Sequence, residues 1–245
     1  MIKGDALAEI GESAMRKAVN HLRNSDPVLA AIIERVGSPQ ISYREPTFEA
    51  LARAIVFQQL SGKAARTIYS RLEEAAGGKL TPESIRGLSV GEMRRAGLSK
   101  QKTGYIRDLA EHALSGKVDF SKLPQMADEE VIASLTDIKG VGVWTAQMFL
   151  IFALRRPNVL AVDDLGVRTA IKRYYKKRVL PKPAHIEKLA VNWRPYCSYA
   201  CWYLWRSLEF PQNGKPTMAA LRHSAAKPQP KSRDHHGDAQ TRRKK

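Results

Sequence analysis

Apolar residues recur at three- and four-residue intervals through most of this 245-residue chain, the spacing that lines them along one face of an α-helix. Leu7, Ile10, Ala14, Ala18 and Leu22 mark a first helix over 6–23. Ser25-Asp26-Pro27 restarts the pattern, because a Ser or Asp side chain caps free amides and proline suits a first turn. Leu29, Ile32, Ile33 and Val36 then give a buried stripe that Gly37-Ser38-Pro39 ends, and Ile41 to Pro46 reads as extended. Thr47 is placed to cap a helix from Phe48 to Gln59. Helical spacing resumes over 61–75 and stops at Gly77-Gly78. Thr81-Pro82 opens a short helix, and Ser89 with Glu92 forms a capping box for the next. Lys100 to Leu114 carries Ile106, Leu109, Ala110 and Ala113 at helical spacing. An acidic first turn, Asp128-Glu129-Glu130, leads a helix to Leu135, and Val143 to Leu154 is a mostly apolar one. Val167, Ala170, Ile171 and Tyr174 mark another, and a Trp- and Tyr-rich helical region runs from about Ile186 through Phe210. No strand-like alternation of useful length and no solenoid repeat occurs. The expected fold is all-α.

Between the helices ending at Leu135 and starting at Val143 lies Ile138-Lys139-Gly140-Val141-Gly142. The two glycines let the backbone turn without Cβ clashes. The amides of the turn and of the following helix are then open to an anion, and the helix dipole favours negative charge there. A DNA phosphate suits such a site and would be held without reading sequence; an ordinary helix–turn–helix corner explains the tripeptide equally well. Asp163-Asp164, after Val159 to Val162, stands where the next helix begins, so structural capping is the plain reading of the pair. Gln58 and Gln59 end a mostly apolar helix, and by composition they are surface residues, since a buried amide must find partners. Trp144 and Trp205 fit core packing on periodicity alone.

Three separated blocks change that balance. They are Gly140-Val141-Gly142, Trp144-Thr145-Ala146 and Val162-Asp163-Asp164; the upstream Phe57-Gln58-Gln59-Leu60-Ser61-Gly62-Lys63-Ala64-Ala65; and the downstream Trp193-Arg194-Pro195-Tyr196, Ser198-Tyr199-Ala200 and Trp205. In this order they resemble the helix-hairpin-helix, Gly/Pro-rich loop and aspartate (HhH-GPD) superfamily of base-excision DNA glycosylases, and within it the alkyladenine branch, 3-methyladenine DNA glycosylase II and its yeast relatives. The resemblance covers about Asn20 to Phe210. It implies a two-lobed fold with the DNA cleft between the lobes, one of roughly 47–154 and a second of 1–46 with 155–222. It also implies Asp164 as the catalytic carboxylate; Trp144, Trp205 and Met148 as the base pocket; Gln59, with Gln58, as the wedge that fills the gap left by an extruded nucleotide; and Lys139, Gly140, Val141, Gly142 and Thr145 as the phosphate-binding hairpin. The family commonly has an apolar residue at the wedge. Backbone carbonyls of Thr136, Ile138 and Val141 would hold a monovalent cation, Na+ or K+, with no cofactor required. Trp144 stands where bifunctional relatives carry a lysine that attacks the sugar, so hydrolysis of alkylated purines, 3-methyladenine and 7-methylguanine, without strand cleavage is expected. A glycosylase for another lesion (ethenoadenine, hypoxanthine, uracil) and a non-catalytic DNA-binding protein are the alternatives. Compared with the bacterial enzyme, the chain is short at its N-terminus.

Charge agrees with a polyanionic partner. The net charge is +17, far from the balance of an ordinary soluble domain, and nucleic acid is the first candidate. The segment 223–245 holds seven Lys or Arg against two Asp, so +5 lies there and +12 on the remainder. That segment is too polar to bury a core and is expected to be a disordered basic arm with salt-sensitive DNA affinity. Lys172, Arg173, Lys176, Lys177, Arg178 and Lys182 form a second basic cluster, a solvated face or a DNA-facing one. The only cysteines, Cys197 and Cys201, are four apart in a helical pattern and read as packing residues; the four-cysteine iron–sulfur cluster of endonuclease III relatives cannot be built from two. The apolar run Val141 to Leu154 is too short to span a bilayer, and Lys3, Asp5 and Glu9 interrupt any signal-like segment. The expected partner is damaged double-stranded DNA, with no membrane, and the expected state is a monomer in the cytoplasm or nucleoid of a bacterium, or the nucleus of a eukaryote.

Overall fold

A computed structural model of the chain describes residues 4–210, with side chains from residue 12 onward. The buried stripe expected from Leu7 and Ile10, and the basic arm 223–245, lie outside the described residues. Those described form twelve α-helices and two 3-10 turns, with no strand. The helices are α1 (Gly4–Ser25), α2 (Pro27–Val36), α3 (Phe48–Phe57), α4 (Gly62–Ala75), α5 (Pro82–Gly87), α6 (Val90–Arg95), α7 (Lys100–Leu114), α8 (Asp128–Thr136), α9 (Val143–Phe152), α10 (Leu165–Tyr174), α11 (Pro183–Ala190) and α12 (Cys197–Ser207). None is long and apolar enough to cross a membrane.

Most boundaries follow capping chemistry written in the sequence. Thr47 caps α3 by accepting from the Ala50 amide, and Ser61 caps α4 through Ala64. The capping box of Ser89 with Glu92 forms at α6 as expected, and a second one, Thr81 with Ser84, opens α5. Two boundaries differ. α3 stops at Phe57, so Gln58 is its C-cap and Gln59 leaves the helix in a left-handed conformation, φ 55°. The expected region from Ile186 to Phe210 is divided into α11, a 3-10 turn at Val191–Trp193 and α12, because proline at 195 cannot supply the amide a continuous helix needs there.

The apolar faces build two cores. The first joins α3 to α9, from Phe48 to Val159, with Leu51, Ile55, Ile106, Leu135 and Leu150 fully shielded. The second joins Leu22 and α2 to α10, α11 and α12, with Trp193 and Tyr203 its largest shielded side chains. Met148, Phe152 and Trp205 pack against both, so the seam between the cores passes through two of the three residues expected to form the base pocket.

One buried carboxylate locks the second core. Asp26 is 4% exposed; one oxygen accepts the Val28 and Leu29 amides at the start of α2, and the other accepts the Tyr175 hydroxyl at 2.6 Å and the Trp193 indole at 2.8 Å. Four donors compensate a charge taken out of water. Burial and the neighbouring Asp26 carboxylate push the Tyr175 hydroxyl well above the ordinary tyrosine range. Cys197 and Cys201 are buried free thiols in the same core, and burial pushes them up to about 11 and about 12, the behaviour of packing residues rather than nucleophiles.

Candidate active site and DNA-binding hairpin

The turn between α8 and α9 is shaped from below. Ile138 and Val141 are buried anchors, and the Val141 amide donates to the Ile138 carbonyl at 3.0 Å. Gly140, at φ 83°, lies directly on the Tyr105 ring of α7, where a Cβ would fall inside the ring. Gly142 is the N-cap of α9 at φ −92°, no side chain caps that helix, and the space where its Cβ would stand is open. The first amides of α9 are therefore left to an external acceptor, the arrangement that binds anions. Lys139 is tethered: its amide donates to Asp108 at 2.9 Å and its ammonium lies 3.3 Å from the same carboxylate. Burial raises the Asp108 carboxyl, but the Lys139 contacts and His112 outweigh it and hold it below the usual carboxylate range. Thr145, expected on the phosphate-facing surface, turns inward. It is 5% exposed and its hydroxyl accepts from Gln58, because position three of the helix faces the α3 terminus rather than solvent.

The wedge segment is bolted to this hairpin. The Gln58 side-chain amide donates to the Gly140 carbonyl at 3.0 Å and to Thr145 at 3.3 Å; so engaged, it cannot insert into a duplex, and it is not the surface residue its composition suggested. Gln59 is exposed beside Leu60, so the wedge expectation falls on Gln59 alone, with an apolar neighbour. The Lys102 ammonium of α7 donates at 2.6 Å to the carbonyls of both Val56 and Gln58, capping the negative end of α3. Burial lowers its pKa. Lys102 and Tyr105 were missed in the sequence. Their spacing puts them on one face of α7, but nothing local says that this face lies under the hairpin.

Asp164 is the N-cap of α10 and also more than a cap. One carboxylate oxygen accepts the Val167 amide at 2.7 Å and the Trp205 indole at 2.7 Å, while the other accepts the Trp144 indole at 2.7 Å. Asp163 beside it is exposed and takes no part. Trp205 is fixed by stacking on Phe152, ring centroids 5.9 Å apart and planes 29° off parallel. Trp144 is 47% exposed, an open aromatic face beside the carboxylate. The loop bearing Asp164 is tied to α9 through Gln147, whose amide donates to the Leu160 carbonyl at 3.3 Å.

Gly166 makes this meeting possible: a Cβ there would stand 2.8 Å from Trp205 Cδ1 and 3.0 Å from the Asp164 carboxylate. Substituting Gly166→Ala is expected to push Trp205 off the carboxylate and slow the reaction at the site by roughly tenfold, about 1.4 kcal/mol. Alanine's better helix propensity offsets part of the packing strain, so stability should stay within about 1 kcal/mol of the parent. Measuring turnover beside a urea melt checks both, and unchanged turnover would show that the Trp205 contact is dispensable.

A cavity of about 1030 Å³ lies beside these groups, lined among others by Gln58, Gln59, Lys102, Tyr105, Trp144 and Met148. Neither Asp164 nor Trp205 lines it, so Trp144 stands between the cavity and the carboxylate. The expected pocket residues thus split: Trp144 and Met148 face the cavity, and Trp205 braces Asp164 from behind.

A carboxylate between two indoles, an anion-ready hairpin and a wedge segment braced on it are parts of one apparatus. The HhH-GPD superfamily base excision DNA repair protein family matches residues 52–195. This chain belongs to that superfamily. An HhH-GPD relative, the DNA-3-methyladenine glycosylase 1 of Schizosaccharomyces pombe, is 32% identical over 211 residues, which span 83% of this chain and 92% of the relative. Among solved HhH-GPD structures, the S. pombe 3-methyladenine DNA glycosylase in complex with abasic DNA superposes with a TM-score of 0.69 at 34% identity, covering 78% of this chain and 95% of that one. The Bacillus halodurans DNA-3-methyladenine glycosidase superposes with a TM-score of 0.73 at 38% identity, covering 84% and 95%. The superfamily match takes in α9, Asp164 and the Gln58–Gln59 segment together.

Proposed function

We propose that this protein is a monofunctional DNA glycosylase that extrudes N-alkylated purines, 3-methyladenine and 7-methylguanine among them, from duplex DNA and hydrolyses their N-glycosidic bond. The observation that carries the reading is the Asp164 carboxylate held between Trp144 and Trp205 at 2.7 Å from each indole. Alkylation at a ring nitrogen makes the base cationic, and a cation over an indole face gains roughly 0.5–2 kcal/mol. As the C1′–N bond breaks, its electron pair neutralises the departing base while positive charge grows on the sugar. A fixed carboxylate stabilises that charge without reorganising. Water then adds its oxygen to C1′ and gives up a proton, leaving an abasic site.

The other parts serve extrusion. Removing a base from the stack costs a few kcal/mol, and Gln59, standing out from the duplex-facing end of α3, would fill the gap. The hairpin amides would grip a phosphate of either strand without regard to sequence. A monovalent cation at the hairpin would draw on the carbonyls of Thr136, Ile138 and Val141 and add positive charge facing that phosphate. The Ile138 carbonyl already accepts the Val141 amide, which leaves it one lone pair for such an ion. No lysine stands on α9 beside Asp164 to attack the sugar, so the strand is left uncut.

Purified protein incubated with methylated duplex should release free 3-methyladenine or 7-methylguanine, seen by chromatography, with the strand intact on a parallel gel until alkali is added. Tight duplex binding without release of any alkylated base would overturn the reading, and strand cleavage before alkali would overturn its monofunctional part.

A further inference from the structure

A second recess, of about 270 Å³, shares Ala54, Phe57 and Met148 with the large cavity. Its walls include Phe57, Phe149 and Phe152, and Phe152 is the ring stacked on Trp205, so the recess backs directly onto the aromatic partner of Asp164. Arg44 and Arg53 complete it. The Arg53 guanidinium carbon lies 4.2 Å from the centre of the Phe57 ring and 4.9 Å from that of Tyr69. Burial and then the neighbouring charge of Arg44 lower the Arg53 pKa. Glu49, the nearby carboxylate, accepts the Tyr69 hydroxyl at 2.8 Å and pairs with neither arginine. Among the described residues no hydrogen bond or salt bridge accepts from either guanidinium.

Two like charges side by side at an aromatic recess, without an acceptor, are poorly suited to a cationic base and well suited to a flat ring with adjacent acceptor atoms. Adenine alkylated at N3 brings a positive charge and a donor amino group at C6. A 6-oxopurine with a free N7 brings two acceptors, O6 and N7, spaced for a guanidinium fork, the pairing that arginine makes most often with purines.

We propose that Arg44 and Arg53 read the O6/N7 edge of an uncharged extruded 6-oxopurine, the hypoxanthine left by deamination of adenine, and so make a second class of lesion a substrate of the same carboxylate. The inference rests on the glycosylase reading above. The chemistry gives the arginines a task that alkylated bases do not set. Water oxygen joins C1′, the C1′–N9 bond breaks, and the bond's electron pair goes to the purine. On a cationic base that pair cancels an existing charge, whereas on hypoxanthine it creates a negative one, delocalised to O6 and N7, until the purine takes up the proton that the water loses. Two fixed guanidiniums stabilise that developing anion while Asp164 stabilises the sugar.

The test compares release of hypoxanthine, from a duplex carrying it at one position, with release of 3-methyladenine from methylated duplex, for the full chain and for Arg44→Met and Arg53→Met. The ratio of the two rates is independent of the folded fraction, and Arg44 is exposed, so loss of fold cannot mimic the result. The unsubstituted protein should release both bases, and the hypoxanthine-to-3-methyladenine ratio should fall by roughly tenfold or more in each variant. Release of 3-methyladenine without hypoxanthine, or a ratio unchanged in both variants, overturns the proposal and leaves the glycosylase reading standing. Release of neither base overturns both.

Discussion

Asp164→Asn is expected to slow base release on the order of 100- to 1000-fold, the usual loss when one preorganised electrostatic group is removed from a reacting centre, while duplex affinity and its salt dependence stay as they were. The geometry explains why the substitution is selective. An asparagine oxygen can still accept the Val167 amide and the Trp205 indole, so α10 keeps its cap and Trp205 its place. The amide nitrogen, however, would face the Trp144 indole N–H, donor against donor, and the negative charge is gone. Charge is what the growing cation on the sugar responds to, and the hairpin that binds phosphate is built from other residues. Single-turnover release beside a salt titration of duplex binding measures the two effects separately. Release at the parental rate would remove Asp164 from the chemistry and leave it a helix cap; parallel loss of binding would mean that the substitution had disturbed the hairpin through Trp144.

Much of this apparatus is legible in one dimension, because its parts are local. Thr47, Ser61 and Ser89 announce helix starts by capping chemistry that acts within three residues. Gly140-Val141-Gly142 announces a turn, and Asp164 stands where an apolar run gives way to a new helical period. What is not legible is long-range. Gln58 looks like a solvated helix end until the fold brings the Gly140 carbonyl, 82 positions away, within reach of its amide. Lys102 looks like one more surface cation on a chain of net charge +17, yet its ammonium caps α3. Thr145 sits within the conspicuous block, but its position on the helix turns it inward. Arg44 and Arg53 belong to no motif, and only the meeting of α3 with the end of α9 makes a recess of them. Periodicity fixes which face of a helix is buried, but not against which partner, and the site's second layer consists almost entirely of partners.

The two hairpin glycines should part company under the same substitution. Gly140→Ala is expected to destabilise the protein by about 2–4 kcal/mol, combining a left-handed backbone that alanine resists with overpacking against a ring. The ring is Tyr105, held on α7 in the first core, so it cannot retreat without moving the helix that also carries Lys102. Relief would come by lifting the turn, which carries the Gly140 carbonyl away from Gln58 and unbolts the wedge segment, so extrusion should fail even where the chain remains folded. Gly142→Ala meets neither obstacle: its φ of −92° is ordinary for alanine, and nothing lies within 4 Å of the new methyl. Stability should therefore be unchanged. That open space, however, is where an anion would approach the first amides of α9, and a methyl group standing in it should weaken duplex binding by roughly tenfold, about 1.4 kcal/mol. Urea melts paired with duplex titrations distinguish the cases. If Gly142→Ala binds DNA as tightly as the parent, the phosphate does not sit on the α9 terminus, and the hairpin's glycines serve the turn alone.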